Sequence, residues 1–389
     1  MTSNDAHDAH DAHDARGRPV WDVGPAPDLP RLEGDVEADV CVVGLGGSGL
    51  ACVGELVRLG ARVAGVEAGR VGGGAAGRNG GFLLAGLALF YHDAVERYGR
   101  ETACALYRLT LDELDRVEEE TPALVSRTGS LRIAESDEEL ADCTLQLEAM
   151  RADALPAERY DGPEGIGLLI HGDGAYQPLA RCRALATRAA AAGARLFERS
   201  PVTRIDATGV HTERGLVRAR HIVVAVDGCL ERLLPELAPR VRTARLQMLA
   251  TEPTTEIRLD RPVYARWGYD YWQQRPDGAI ALGGARDLAG ESEWTTNATP
   301  TSIVQEALER RLREVLGVGA PISHRWAASV GYTTDGLPVV AQVRPGVWAV
   351  GGYSGTGNVI GALLGRGMAR WLQSGDDTLV RPFVEATPS

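Results

Sequence analysis

The chain has 389 residues, of which 44% are hydrophobic and 24% charged, as is typical of soluble globular proteins with a large core. A net charge of −12 leaves no basic excess to neutralise phosphates, which argues against nucleic acid as a partner. No apolar run approaches the roughly 18 residues that a membrane span needs, and no secretory signal is visible. We therefore expect a cytoplasmic protein of two or three domains without a membrane partner.

Composition also excludes several kinds of catalysis. All 41 basic residues are arginine, so the chain lacks the amine nucleophile of Schiff-base chemistry and the lysine of a P-loop. The six cysteines form no C-x-x-C pair, and the five histidines after the first 35 residues, His92, His171, His211, His221 and His324, fall at no metal-ligand spacing. We expect reduced thiols and no metal site.

The first 35 residues predict a disordered polar tail. Residues 5–15 repeat Asp, Ala and His in steps of three. The repeat suits weak metal binding but is more typical of a disordered extension.

Residues 39–49 carry the most informative pattern. The apolar run 39–43 predicts a buried strand, and a G-x-G-x-x-G follows it directly. We expect Gly44 to form a tight strand-to-helix turn and Gly46 to let a pyrophosphate approach the backbone. Gly49 would let the helix pack closely on the strand.

The next segment fits a dinucleotide site. A helix over residues 49–59 would direct its free N–H groups at the phosphates. A second strand, 61–66, ends in Glu67, where a carboxylate can bind the ribose hydroxyls. Together these features predict a dinucleotide-binding β-α-β unit, although the glycine motif alone does not distinguish NAD from FAD.

The segment after Glu67 favours FAD. A simple NAD domain would enter another helix, whereas this chain continues through small residues over 72–81, which suits a flat, extended cofactor. The run Gly77-Arg78-Asn79-Gly80-Gly81 resembles the D-amino-acid oxidase-like superfamily of FAD-dependent amine and amino-acid oxidoreductases. Within it, the γ-glutamylputrescine oxidase and sarcosine–glycine oxidase branch is the most similar. The resemblance implies that this run passes the isoalloxazine ring.

The rest of the chain predicts further helices and strands. Helices are predicted over 91–120, 136–152, 180–192, 301–316 and up to 371, and strands over 129–133, 194–198, 201–205, 209–212, 215–217, 222–226, 245–251, 263–267, 269–273, 279–283 and 347–350. The strands between 241 and 324 predict one antiparallel sheet.

The resemblance implies an α/β (α+β two-domain) fold, with a Rossmann-like FAD-binding domain and a discontinuous antiparallel-sheet substrate domain. The FAD-binding domain would comprise residues 36–83, 171–240 and 325–376, and the substrate domain residues 84–170 and 241–324. FAD would be non-covalent and would be held by Gly44, Gly46, Gly47, Ser48, Gly49, Glu67, Ala68, Ala76, Gly77, Arg78, Asn79, Gly80, Val202, Gly228, Asp335, Gly352, Gly355, Thr356 and Gly357.

Aromatic side chains are the candidates for substrate binding. Strand alternation predicts Trp267, Tyr269 and Tyr271 on one face of the sheet, where they would bind an amine by cation–π contact or simply pack in the core. Gln247 and Tyr353 are weaker candidates.

The resemblance implies oxidation of the C–N bond of a primary or secondary amine or amino acid to an imine, by hydride transfer to flavin N5, with no catalytic acid or base required. Oxygen as acceptor, with release of hydrogen peroxide, is favoured over a dehydrogenase using another acceptor. Two lysines of sarcosine-oxidase-like members, which activate oxygen and bind a carboxylate, correspond to about Ala281 and Val359 here. A flavoprotein with a binding or assembly role and an NAD-dependent dehydrogenase are the alternatives.

Overall fold

The computed structural model describes residues 17–386, so the His-Asp-Ala repeat lies outside the described part of the chain. The strands are β1 (Gly34–Val43), β2 (Val63–Val66), β3 (Phe82–Leu83), β4 (Val125–Ser126), β5 (Ser130–Ile133), β6 (Ala157–Gly162), β7 (Gly165–Ile170), β8 (Gly174–Tyr176), β9 (Arg195–Phe197), β10 (Val202–Asp206), β11 (Gly209–Thr212), β12 (Gly215–Val224), β13 (Val241–Thr251), β14 (Val263–Ala265), β15 (Asp270–Gln274), β16 (Ile280–Gly284), β17 (Ile322–Thr333), β18 (Val339–Arg344) and β19 (Val347–Gly351). The helices are α1 (Gly47–Arg58), α2 (Tyr91–Tyr98), α3 (Arg100–Glu120), α4 (Asp137–Ala152), α5 (Pro178–Ala191), α6 (Leu230–Leu233), α7 (Arg286–Ala289), α8 (Ser302–Arg310), α9 (Ile360–Ser374) and α10 (Arg381–Glu385).

The first sheet, here called the cofactor sheet, is built around the predicted β-α-β unit. Its central strands β9, β2, β1, β12 and β19 are parallel to one another. β10, β11 and β18 add antiparallel edges. Helices α1 and α9 pack against each other beside the sheet. The predicted Rossmann-like order of strand, helix and strand is confirmed, with β1 beginning at Gly34 rather than Asp39.

The second sheet, here called the substrate sheet, has the order β17-β13-β16-β15-β14-β5-β7-β6. Its neighbouring strands are antiparallel except β14 and β5, which run parallel. The sheet predicted between 241 and 324 is therefore present, and it is extended by strands from before residue 171. The assignment of residue ranges to two domains stays a prediction.

Two predicted elements end early because their backbone takes left-handed conformations. The predicted helix 91–120 is divided at Gly99, whose φ is +83°. The predicted strand 263–267 stops at Ala265, because Arg266 and Trp267 have φ values of +53° and +52°. The chain turns there and restarts as β15.

The end of the predicted tail is ordered. Trp21 is 2% exposed and donates from its indole Nε1 to the carbonyl oxygen of Asn79 at 2.7 Å. Leu29 and Leu32 are also buried. Residues 17–35 thus pack against the rest of the protein. Trp21 covers the small-residue segment (residues 72–81), and Leu29 and Leu32 join the hydrophobic core. Within residues 17–386, no helix is both long and apolar enough to cross a membrane.

Candidate active site

One large cavity, of about 1010 Å³, lies between the cofactor sheet and the substrate sheet. The glycine motif lines one part of it, and a group of tyrosines from the substrate sheet lines another. This volume is at the upper end of the range for ligand pockets, about 300–1,000 Å³. It therefore suits a large ligand together with a small one.

The glycine motif provides the turn and the close packing that its spacing predicts. Gly44 has a φ of +95°, and a Cβ there would lie 2.8 Å from the carbonyl oxygen of Ala225. A Cβ on Gly49 would overlap the carbonyl oxygen of Gly44, whereas one on Gly47 would meet nothing within 4 Å. Gly46 is the N-cap of α1 and offers no side chain to the first N–H groups. The helix N-terminus is therefore open to an anion.

Glu67 stands at the end of β2, beside this turn. Its carboxylate accepts from the N–H of Leu45 at 2.9 Å and from the N–H of Gly69 at 3.0 Å. Burial raises the pKa of Glu67, while these two N–H groups act in the opposite direction. Each oxygen retains a free lone pair for a ribose hydroxyl.

The side chains of Asn79 and Arg78, which the sequence predicted to bind the cofactor, hold the small-residue segment in place. The Asn79 amide donates to the carbonyl oxygens of Ala75 and Ala76 at 3.0 and 2.9 Å, and its oxygen accepts from Gly81 at 2.8 Å. Arg78 donates from Nε to the carbonyl oxygen of Ala327 at 2.8 Å. Both side chains are thus occupied in fixing the loop, so what they can offer a cofactor is the position of their backbone.

The glycine-rich turn of residues 351–357, just before α9, meets the cofactor sheet at Asp227. The Asp227 carboxylate accepts from the N–H of Tyr353 at 2.9 Å and from the N–H of Gly331 at 3.2 Å. It also lines the cavity, and burial raises its pKa to about 6. Asp227 therefore connects β12, β17 and the turn before α9 through a carboxyl group that ionises near neutral pH.

Tyr264 and Tyr271 of the substrate sheet, together with Phe82, form one side of the cavity, which we call the aromatic wall. The rings of Tyr264 and Tyr271 lie 5.8 Å apart, and the ring of Phe82 lies 5.1 Å from the first and 5.9 Å from the second. Tyr271 fits because its neighbours are glycines: a Cβ on Gly80 would lie 3.1 Å from its ring, and one on Gly283 would overlap it. The wall thus lies directly against the small-residue segment.

The other aromatic candidates are placed differently from the prediction. Trp267 and Tyr269 lie at the cavity but outside any strand, and they are 44% and 40% exposed. The indole Nε1 of Trp267 donates to Asp142 at 2.6 Å. The predicted common face of Trp267, Tyr269 and Tyr271 is therefore corrected, because the left-handed turn at 266–267 interrupts the alternation.

Gln247 lies outside the cavity lining. It is 1% exposed, and its amide donates to Glu293 and Thr301 at 2.8 Å each. Its neighbours on β13, Leu246 and Met248, line the cavity instead. The side chain of Gln247 thus belongs to the hydrogen-bond network on the α8 side of the sheet.

Tyr353 reaches the cavity but is 4% exposed and packs beside Ser48 and Gly361 under α9. The other predicted residues divide into two groups. Those that line the cavity are Gly44, Gly46, Gly47, Ser48, Glu67, Ala76, Arg78, Asn79, Gly80, Gly228, Gly355, Thr356 and Gly357. Those outside its lining are Gly49, Ala68, Gly77, Val202, Asp335 and Gly352. Gly49, Gly77 and Gly352 have close backbone or side-chain neighbours that explain the need for glycine.

Comparison with known proteins identifies the family. The profile of FAD dependent oxidoreductases matches residues 39–371. The chain belongs to this family. The predicted superfamily and the predicted cofactor, FAD, are both confirmed.

Individual relatives agree with this assignment of the FAD-dependent oxidoreductase. Gamma-glutamylputrescine oxidoreductase of Escherichia coli is 28% identical over 374 residues, covering 88% of this chain and 85% of that protein. The structure of glycine oxidase from Geobacillus kaustophilus has a TM-score of 0.69 at 21% identity, covering 91% of this chain and 96% of the other. L-proline dehydrogenase from P. horikoshii has a TM-score of 0.71 at 20% identity, covering 91% and 98%.

The cavity of this FAD-dependent oxidoreductase fits its cofactor. The uncapped N-terminus of α1 suits the pyrophosphate, and the Glu67 carboxylate suits a ribose. A Cβ on Gly47 or Gly74, both in the lining, would meet no protein atom within 4 Å, so these glycines leave room for a ligand. The residues present therefore match the group that the family requires.

Sequence reasoning missed several residues of the lining, including Tyr264, Tyr332, Arg132 and Arg286. Tyr264 was within the predicted strand 263–267 but was not among the candidate residues. Arg132 on β5 and Arg286 at the start of α7 are far apart in the chain, and sheet order brings both to the cavity. The absence of lysine was the one available signal, since any cation of the site must then be arginine or histidine.

Proposed function

We propose that this protein oxidises the C–N bond of a primary or secondary amine or amino acid to an imine, with oxygen as acceptor and hydrogen peroxide as the second product. Water then hydrolyses the imine. The observation that carries the proposal is the aromatic wall, which lies directly against the small-residue segment of the cofactor site. The names of its relatives, gamma-glutamylputrescine oxidoreductase and glycine oxidase, support an amine substrate.

FAD, when bound, supplies the acceptor for the hydride that leaves the substrate carbon. The chain's own residues bind and orient the amine. Tyr264 and Tyr271 present ring faces to which an ammonium or alkyl group can bind. Burial raises the pKa of Tyr264 to about 12, so its hydroxyl stays protonated and does not act as a base near neutral pH. Tyr264 therefore does not take the proton of the amine, which can lose it to water or arrive neutral.

A molecule other than oxygen is the second candidate for the electron acceptor. With no lysine in the chain, no side-chain ammonium can stand beside the flavin to assist oxygen, and Ala281 is a buried alanine on β16. This observation favours a dehydrogenase that passes electrons to another acceptor. The amine half of the reaction is the same in both cases.

A panel of amines and amino acids tests the proposal in two parallel assays. One follows oxygen consumption and peroxide release, and the other follows reduction of an artificial electron acceptor without oxygen. Turnover with stoichiometric peroxide supports the oxidase, and turnover with the artificial acceptor alone supports the dehydrogenase. Turnover in neither assay, with FAD bound, contradicts the proposal and favours a flavoprotein with a binding or assembly role.

A further inference from the structure

The strand register places one cation at the end of the aromatic wall. Arg132 on β5 pairs with Tyr264 on β14, Tyr264 pairs with Tyr271 on β15, and Tyr271 pairs with Gly283 on β16. Side chains that are paired directly across neighbouring strands share one face of the sheet. The row therefore runs from a guanidinium across two tyrosine rings to a glycine, and it faces the cavity.

Arg132 has no anionic partner of its own. Within residues 17–386, its guanidinium forms no hydrogen bond or ion pair, and its one ring contact is with Phe90 at 5.1 Å. Asp173, a buried carboxyl group on the same side of the sheet, is held instead by the Ser130 hydroxyl at 2.6 Å and the N–H of Ala85 at 2.8 Å. This guanidinium is part-buried and has no ion-pair partner, so it is available to pair with the negative charge of a ligand in the cavity.

The other carboxylates of the lining are already engaged by the backbone. Glu67 and Asp227 accept N–H groups of the cofactor turns. Glu139 accepts from the N–H of Trp267 at 2.7 Å and from the N–H of Glu135 at 2.9 Å. None of them lies within ion-pair distance of Arg132.

The other arginines of the cavity are paired, placed against rings or backbone, or exposed. Arg181 pairs with Glu120 at 2.6 Å, and Arg97 is exposed beside Tyr98. Arg78 is bonded to the carbonyl oxygen of Ala327. Arg286 lies over the rings of Tyr332 at 4.8 Å and Trp294 at 5.1 Å, so aromatic faces surround it. Arg132 is therefore the cation most available to a ligand that lies along the tyrosines.

We propose that Arg132 binds an anionic group of the substrate that is remote from the carbon being oxidised. This inference rests on the proposed function. Tyr271 contacts Gly80 of the small-residue segment, whereas Arg132 lies two strands away, which corresponds to about 10 Å between backbones. A carboxylate directly beside the amine would not span this row. The substrate class is an amine that carries its carboxylate at the far end of a chain.

The test compares ω-amino acids, from γ-aminobutyrate upwards, with the n-alkylamines of the same chain length and with glycine. The FAD-loaded full-length protein is used as wild type and as Arg132→Met, Arg132→Lys and Arg97→Met. Arg97 is the matched control, because it also lines the cavity but is exposed and lies beside Tyr98. Calorimetric titration with pentanoate, which has no amine, measures anion binding independently of turnover.

We expect the wild type to prefer ω-amino acids to both alkylamines and glycine. Arg132→Met should raise their KM roughly 10- to 100-fold, as for loss of a charged hydrogen bond, with kcat and the KM of alkylamines nearly unchanged. Pentanoate binding should disappear in Arg132→Met and return in part in Arg132→Lys. Arg97→Met should leave the preference intact.

Equal use of alkylamines and ω-amino acids by the wild type would overturn the inference, as would a preference for glycine or a wild type that does not bind pentanoate. If Arg97→Met lost the preference for ω-amino acids to the same extent, the preference would come from the overall charge of the cavity. That result would also overturn the inference. If no amine is oxidised but pentanoate binds through Arg132, the proposed function fails while the anion site stands.

Discussion

The two sides of the cavity are built in different ways. On the cofactor sheet, residues 44–67 bring the turn, the helix N-terminus and the acid together within one β-α-β unit. On the substrate sheet, Arg132, Tyr264 and Tyr271 come from three adjacent strands, of which β5 and β14 are more than a hundred residues apart in the chain. Local sequence therefore determines the cofactor side, whereas the substrate side depends on register between distant strands. Variants on each side of the cavity test this difference.

The largest effect is expected for Gly49→Ala on the cofactor side. The new Cβ would overlap the carbonyl oxygen of Gly44, so α1 must move away from the turn. We expect the free energy of unfolding to fall by about 3 kcal/mol and bound FAD to be lost. Flavin content and thermal denaturation measure both effects.

Gly54→Ala is the control for this variant, because Gly54 lies in the same helix and a Cβ there meets nothing within 4 Å. It should retain FAD and gain up to about 1 kcal/mol from helix propensity. Equal flavin content in the two variants would show that the close approach at Gly49 does not matter.

Through Asp227, both the stability of the protein and its affinity for FAD should depend on pH. Its pKa is raised from 3.8 to about 6 by burial, so the folded protein holds this proton over a range in which the unfolded chain has released it. The free energy of unfolding should therefore fall between about pH 4 and pH 6, by at most about 3 kcal/mol. The dissociation constant of FAD should rise over the same increase in pH, because the ionised carboxylate lines the cavity of an anionic cofactor.

The control for Asp227→Asn is Asp173→Asn. Burial also raises the pKa of Asp173 to about 6, but this residue does not line the cavity. Both variants should flatten the pH dependence of stability, and only Asp227→Asn should flatten that of FAD binding. Identical FAD titrations for the two variants would contradict the role assigned to Asp227.

On the substrate side, Tyr271→Ala should raise the KM for the amine about tenfold, since it removes a ring face worth roughly 1–2 kcal/mol to a desolvated cation. Steady-state kinetics and FAD content are measured together. Tyr271→Phe keeps the ring and should stay near the wild type, so a large loss in this variant would point to the hydroxyl instead.

The smallest effect on activity is expected for Gln247→Ala. This side chain lies outside the cavity and serves Glu293 and Thr301, so KM and kcat should stay near the wild type. The free energy of unfolding should fall by about 1–3 kcal/mol, because buried partners lose their hydrogen bonds. A selective rise in KM would restore Gln247 to the substrate site.

The sequence predicted most of the cofactor side because each role there belongs to a local pattern. Gly44, Gly49 and Glu67 have roles that their spacing alone implies. The cofactor-binding roles of Arg78 and Asn79 stay predictions. The Asn79 side chain bonds within its own loop, whereas Arg78 bonds to Ala327, far along the chain. No local pattern could show the contact between Arg78 and Ala327.

The substrate side was predicted only as a sheet with aromatic residues. Alternation failed at Arg266 and Trp267, where two non-glycine residues adopt positive φ, so Trp267 and Tyr269 do not share a strand face with Tyr271. Arg132 and Tyr264 became neighbours through a parallel pairing of β5 and β14. Such a pairing joins segments more than a hundred residues apart, and periodicity within one segment carries no information about it.

The most direct test of the central claim is an anaerobic titration of the FAD-loaded protein with amines, followed by the visible absorption band of oxidised flavin. If the two sheets hold FAD and an amine in one cavity, one equivalent of the right amine should bleach one equivalent of flavin, and Tyr271→Ala should require more amine for the same bleaching. A flavin that no amine bleaches, or a purified protein that takes up no FAD, would contradict the claim.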